Sequence, residues 1–231
     1  MSTPQEDAAA GLRGPDAVED LTPVRAAILG RLLEEAPFHG WSVPALRRAA
    51  KAAGFTRQVQ LLAFPRGVRD CLALYSQSAD EAALRRLAAA DLSTLKVREK
   101  VTLAVRLRIE ALAPHKEAAR LAARTLALPF HARLASKLVY DTVDGLWRAV
   151  GDTSTDFNFY TKRAILSAVY GSTLLRWFED DSEGAAATWA FLDDRIANVM
   201  EFEKVKAKVR AAGAKVPSPW RILGSLRYPR G

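Results

Sequence analysis

Three histidines, one cysteine and a few paired acids are the residues of this 231-residue chain whose types suit chemistry. His39, His115 and His131 lie far apart, and none has a second histidine at the spacing that lets a helix hold a metal. Asp141 and Asp144, like Asp193 and Asp194, fall on amphipathic stretches, where solvated faces or ion pairs to nearby Arg are expected. Cys71 stands alone, which excludes an intramolecular disulfide and a cysteine-built zinc site; a small buried hydrophobe is the expected role. Phosphate loops, nucleophile elbows and zinc signatures are missing from the sequence. The expectation is a protein without catalytic residues, metal or cofactor.

The least ordinary stretch is Gly151 to Arg163. A helix stop at Gly151 is followed by Asp152, Thr153, Ser154 and Thr155, all competing caps for the next helix, with Asp156 in its first turn. Phe157, Asn158, Phe159 and Tyr160 then occupy four consecutive positions, so they cannot all face one core. At least one aromatic should be exposed or line a cleft. Exposed aromatics beside Lys162 and Arg163 suit a protein interface; ordinary core packing is the competing reading.

The elements that position this run read as helices. Ala, Leu and Arg dominate, and residues of high strand propensity are scattered singly. Pro23 suits a helix start, Val24, Ile28, Leu32 and Leu33 share a face, and the first helix is expected to stop by Pro37. Ser42 caps a short helix over 43–53 that ends at Gly54, and a second short helix runs over 56–63. Longer helices follow near 67–89, 94–113, 115–127, 131–150, 156–178 and 183–212. The domains so predicted are an acidic disordered leader (1–22), a helix-turn-helix-like head (23–66), a helical body (67–212) and a basic aromatic tail (213–231). An all-α, tetracycline-repressor-like helical bundle is the fold class this layout matches.

A DNA-reading head would use Arg47, Arg48, Lys51, Arg57 and Arg66 on phosphates, and Arg57, Gln58 and Gln60 on base edges. Phe55, Val59, Leu61 and Leu62 make the reading helix rather apolar for that task. A solvated basic face on a small subdomain is the alternative.

Charge is unevenly placed. The last 28 residues carry eight bases and no acid, equal to the whole net charge of +8. Lys204 and Lys208 flank an apolar stripe of Phe202, Val205 and Val209, and Trp220, Arg221, Ile222, Leu223 and Arg227 follow a Gly/Pro linker. These seven bases, aromatics and aliphatics outside the stripe are candidates for contact with anionic lipid headgroups. No apolar run reaches the ~18 residues that span a bilayer, and residues 2–20 lack the order of a secretory signal, so a soluble or peripheral protein is expected.

The run Asp152-Thr153-Ser154-Thr155-Asp156-Phe157-Asn158, with the aromatic-Tyr-Thr-basic-Arg block after it, resembles the signature of the ninth Coq protein family of ubiquinone biosynthesis. The similarity continues through Ala164-Ile165-Leu166 and Trp189 to Ile196, and back to Gly40-Trp41-Ser42 and Phe64-Pro65-Arg66-Gly67. That resemblance implies a tetracycline-repressor-like homodimer that has abandoned DNA. Such a protein binds isoprenoid lipid in its helical body and presents quinone intermediates to the demethoxyubiquinone hydroxylase. It would lie in the cytoplasm on the inner membrane of a bacterium, or on the matrix side in a mitochondrion. By position, Asn158, Phe159, Tyr160 and Arg163 would touch the hydroxylase, although the family commonly has Trp where Phe159 stands here. Leu103, Leu107, Leu138, Leu146, Trp147, Ile165 and Val169 are the candidates for a lipid pocket. A ligand-responsive transcription regulator of the same architecture is the second reading.

Overall fold

A computed structural model describes residues 20–153 and 157–213, with the side chains of Phe157, Asn158 and residues 200–213 outside that description. The helices are α1 (Thr22–His39), α2 (Val43–Ala52), α3 (Arg57–Ala63), α4 (Val68–Ala88), α5 (Val97–Glu110), α6 (Lys116–Leu126), α7 (Ala132–Ala149), α8 (Phe157–Phe178) and α9 (Ala186–Gly213). No strand occurs among the described residues. The all-helical class and most boundaries match the expectation. The first helix is longer than expected, because Pro37 lies within its last turn. A missing N–H at that position removes only one intrahelical bond, and Gly40, at φ 63°, closes the helix by donating to Ala36 O.

The head forms around the predicted stripe. Val24, Ile28, Leu29, Leu32 and Ala36 of α1 are buried against Ala45, Leu46 and Ala49 of α2. Ser42 Oγ accepts from Ala45 N at 3.3 Å, and Pro44 fits the first turn, where its missing N–H costs nothing. Gly54, at φ 83°, lets Phe55 N reach Ala50 O, which ends α2 and starts the turn into α3.

One side chain ties the head to the body. Trp41 is buried, its Nε1 donates to Ala118 O on α6 at 2.9 Å, and its ring stacks on Tyr75 of α4 at 5.5 Å. Helix α4 buries Cys71, Tyr75, Ala79, Ala83 and Leu87, one residue every four, and packs on α5 and α7. Cys71 is inert as expected, because burial pushes its thiol up to about 12. Next, α7 packs on α8, and α8 on α9, which returns to α5.

The turn from α8 to α9 depends on Asp180. Its carboxylate accepts from Ser182 N at 2.9 Å and Thr188 N at 2.7 Å, and from both hydroxyls. Hydrogen bonds from Ser182, then Thr188, hold the carboxyl well below its usual 3.8. A depressed carboxyl contributes stability above its unfolded pKa and loses it as pH falls through the folded one. Asp180→Asn should therefore lower the thermal midpoint at pH 7, keep the same deficit down to about pH 4, and converge with wild type only in stronger acid. Thermal melts followed by circular dichroism across that range check the sign.

Candidate functional site

The run after α7 is built as an ion-pair lattice. Gly151, at φ 89°, turns the chain so that Asp152 N bonds Trp147 O, and the Asp152 carboxylate faces inward. Asp152 accepts from Lys162 Nζ at 2.8 Å and Arg163 Nη1 at 3.3 Å, both on α8. Arg163 Nε donates to Asp144 Oδ1 on α7 at 2.7 Å, and Arg148 takes the other Asp144 oxygen at 2.8 Å. Asp152, a candidate helix cap by sequence, is an ion-pair acceptor in the structure. Ser154, Thr155 and Asp156 lie outside the described residues.

Arg163 also departs from its expected place. It is 3% exposed, its guanidinium lies 3.4 Å from the Phe159 ring centroid, and it donates to Phe159 O. The residue therefore positions the surface from beneath, because a buried guanidinium needs carboxylate partners more than it can spare itself for a surface contact. Tyr160 is 69% exposed and meets the half-buried Phe159 edge-on at 5.1 Å. The aromatic pair thus divides as the sequence required: one ring packed, one presented. The Asn158 side chain is outside the description.

Two recesses lie in the body. A cavity of about 260 Å³ sits among α4, α5, α6, α7 and α8, lined by Leu72, Leu112, Leu138, Val139, Leu174 and Phe178 among others. A groove of about 320 Å³ runs between α5, α7, α8 and α9, lined by Val97, Val101, Trp147, Ile165, Val169 and Ile196. It adjoins a shallower depression along α8 and α9 through the shared Ile165, Val169 and Val199. The lipid candidates therefore separate: Leu138 faces the cavity, and Trp147, Ile165 and Val169 face the groove. Leu107 and Leu146 are core side chains, Leu103 packs against that core, and none of the three lines either recess.

The polar members of the cavity escaped the sequence reading. Tyr75 and Ser76 of α4, Arg108 of α5, Thr142 of α7 and Tyr170 of α8 line it. Arg108 Nε donates to Asp80, whose Oδ1 also accepts from Thr142 Oγ1 at 2.8 Å. Burial pushes the Asp80 carboxyl up, against the pull of Arg108. The signal available in the sequence was a lone Arg within the apolar arc of Val101, Val105, Leu107 and Leu112.

In the head, Gln60 is 4% exposed, Arg48 pairs with Glu35 at 3.0 Å, and Arg66 pairs with Asp70 at 2.7 Å. Of the other base-edge candidates, Arg57 and Gln58 are exposed at the start of α3, on the same helix as the exposed Leu61 and Leu62. Among the described residues, no cluster of His, Cys, Asp and Glu is arranged to hold a metal ion, and no helix is long and apolar enough to cross a membrane. The side chains of Lys204 and Lys208, and all of Trp220, Arg221, Ile222, Leu223 and Arg227, lie outside the described residues.

Comparison with known proteins adds three findings. The family model described as COQ9 matches residues 132–203, which include the ion-pair lattice and Tyr160. The chain is 30% identical over 198 residues to the rat (Rattus norvegicus) mitochondrial ubiquinone biosynthesis protein COQ9, covering 82% of this chain and 63% of that one. The human (Homo sapiens) protein of the same name is 30% identical, with 80% and 60% covered, so the chain spans somewhat under two thirds of these relatives. A TetR transcriptional regulator from Nitrosomonas europaea superposes with a TM-score of 0.64 at 22% identity, over 76% of this chain and 97% of that one. The fold is therefore tetracycline-repressor-like, as the helix layout predicted.

The lattice separates two neighbouring residues by their effect on stability. Arg163→Ala leaves Asp144 and Asp152 without that partner and should cost about 3–5 kcal/mol. Tyr160→Ala, on an exposed ring, should stay within about 0.5 kcal/mol of wild type. Urea denaturation of both variants measures the contrast.

Proposed function

The chain belongs to the COQ9 family, and from that premise we propose that it is a non-catalytic accessory factor of ubiquinone biosynthesis. In this reading it holds an isoprenoid quinone intermediate in its helical body and presents it to the hydroxylase that acts on demethoxyubiquinone. The observation that carries the reading is the apolar recess bordered by five helices, a place where a chain of isoprene units exchanges water for Leu, Val and Phe side chains. Just past its lining residues Leu126 and Ala127, the connection to α7 exposes Leu128 and Phe130. Those side chains give a protruding tail an apolar path.

Tyr160 supplies the partner surface, because a rigid aromatic held at its base is the kind of residue on which interfaces concentrate their energy. The homodimer is proposed along α8 and α9, where Ala164 and Ala168 are exposed, Gly171 and Ser172 half-exposed, and Leu175 lies open. Peripheral membrane contact is assigned to Lys204, Lys208 and the basic aromatic tail, on the cytoplasmic or matrix side of an inner membrane.

The second reading, a ligand-responsive transcription regulator, is supported by the fold and opposed by the head. Against base reading stand buried Gln60 and the exposed apolar Leu61 and Leu62, while Arg57 and Gln58 keep exposed donors at the start of α3. Mass spectrometry of lipid co-purified with the full chain tests the choice. Isoprenoid quinones or their precursors are expected. Empty protein that binds duplex DNA with sequence preference at physiological salt would overturn the reading. Tyr160→Ala should weaken capture of the hydroxylase about tenfold or more while leaving bound lipid unchanged.

A further inference from the structure

We propose that one end of the cavity among α4, α5, α6, α7 and α8 recognises a neutral carbonyl or hydroxyl oxygen, so that its ligand binds with the oxygen-bearing head at Arg108 and Tyr75 and its tail toward the α6–α7 connection. This deepens the lipid-binding reading and rests on it.

Most of the cavity wall offers hydrocarbon, which selects a tail and cannot orient it. Two groups break that uniformity. Arg108 is 2% exposed and Tyr75 is 7% exposed; Arg108 Nη1 and the Tyr75 hydroxyl are buried without a hydrogen-bond partner among the described residues. Both side chains line the cavity. A buried donor without an acceptor is costly, and native structures seldom leave one without a reason. Here two such groups border one cavity.

The guanidinium is fixed from its other sides. Its Nε is held by Asp80, and its Nη2 donates to Ser76 O at 3.3 Å and Ser76 Oγ at 3.2 Å. The Tyr170 ring lies 5.8 Å away. Tyr75 is fixed by its stack on Trp41, which is itself bonded to Ala118 O. The two donors are therefore preorganised, and a ligand oxygen meets them without reordering side chains.

Charge decides the kind of oxygen. Asp80 already balances Arg108, so the pair carries no net charge to receive an anion. A carboxylate or phosphate would bring its own charge into an apolar recess without compensation, whereas a carbonyl or phenol brings none. Direction follows from the helix α7. Ala135, Leu138, Val139 and Thr142 line the cavity in turn, from the α6–α7 connection to the Asp80 pair, a run of about 10 Å at 1.5 Å per residue. At about 260 Å³ the space lies just under the usual small-ligand range of ~300–1,000 Å³, so it takes a ring and the start of a chain. The rest of a long tail leaves past Leu128 and Phe130.

Titration calorimetry on the full chain tests this with three probes: a geranyl-substituted 1,4-benzoquinone, β-farnesene, and sodium dodecanoate. Tyr75→Phe removes only the hydroxyl and should leave the thermal midpoint unchanged or higher. It should weaken benzoquinone binding about tenfold, the loss of one buried hydrogen bond, and leave β-farnesene binding unchanged. Arg108→Lys keeps a charge for Asp80, loses the Nη1 donor, and should show the same split. Benzoquinone binding as tight in Tyr75→Phe as in wild type, or dodecanoate bound in preference to the benzoquinone, overturns the proposed head site while lipid binding stands. Failure of all three probes to bind overturns the lipid-binding reading as well.

Discussion

A guanidinium taken out of water needs carboxylate partners, and the architecture around Tyr160 follows from satisfying one such group. Arg163 reaches Asp144 on α7 and Asp152 in the turn that leaves it, so a single side chain joins two helices and the segment between them. Desolvation makes this bridge a weak source of net stability, since well-packed hydrocarbon of similar volume often does as well. Its effect is on geometry. With Arg163 held below, the half-buried Phe159 ring packs on the guanidinium and Tyr160 is the ring presented outward. The exposed ring is thus a consequence of the buried charge.

The same logic appears a second time with a different outcome. Arg108 is as deeply buried as Arg163, yet among the described residues its donors are not all used. Arg163 bonds two carboxylates and a carbonyl, whereas Arg108 has one carboxylate and the two oxygens of Ser76. One lattice closes on itself; the other stops at the edge of a cavity. That difference distinguishes a structural ion pair from a site with capacity left for a ligand.

How much of this was legible in the sequence depended on the range of the interaction. Helix ends set by Ser42, Gly54 and Gly151 are local, and they were read correctly from residue type. Pro37 misled because the cost of proline depends on which turn it occupies, and the closing Gly40 lies three residues beyond. The aromatic run required one exposed ring by its spacing alone, but the choice of Tyr160 over Phe159 needed Asp144, nineteen residues upstream of Arg163. The lipid candidates divide between recess and core for the same reason. An apolar stripe identifies a buried face, and Leu107 and Leu146 have one, but whether that face meets another side chain or a recess is decided by the facing helix. Asp80 and Arg108 are 28 residues apart, on different helices, beyond any periodicity argument.

Helix α8 connects the two proposed activities. It carries Tyr160 at its start and Tyr170, which lines the cavity, ten residues on, about 15 Å along the axis. Between them, Leu166 and Val169 are buried in the core, and Arg163 fixes the first turns to α7. A ligand that presses on Tyr170 therefore acts on the same rigid element that presents Tyr160. In the tetracycline-repressor-like layout, Trp41 gives the head a comparable link to the cavity through Tyr75. Helix α8 is the element that joins cavity and surface directly, since it carries both Tyr170 and Tyr160. Head-inward binding gives the coupling a physical content: a ring held at Arg108 is shielded until release, so partner docking at Tyr160 and ligand departure would share one helix.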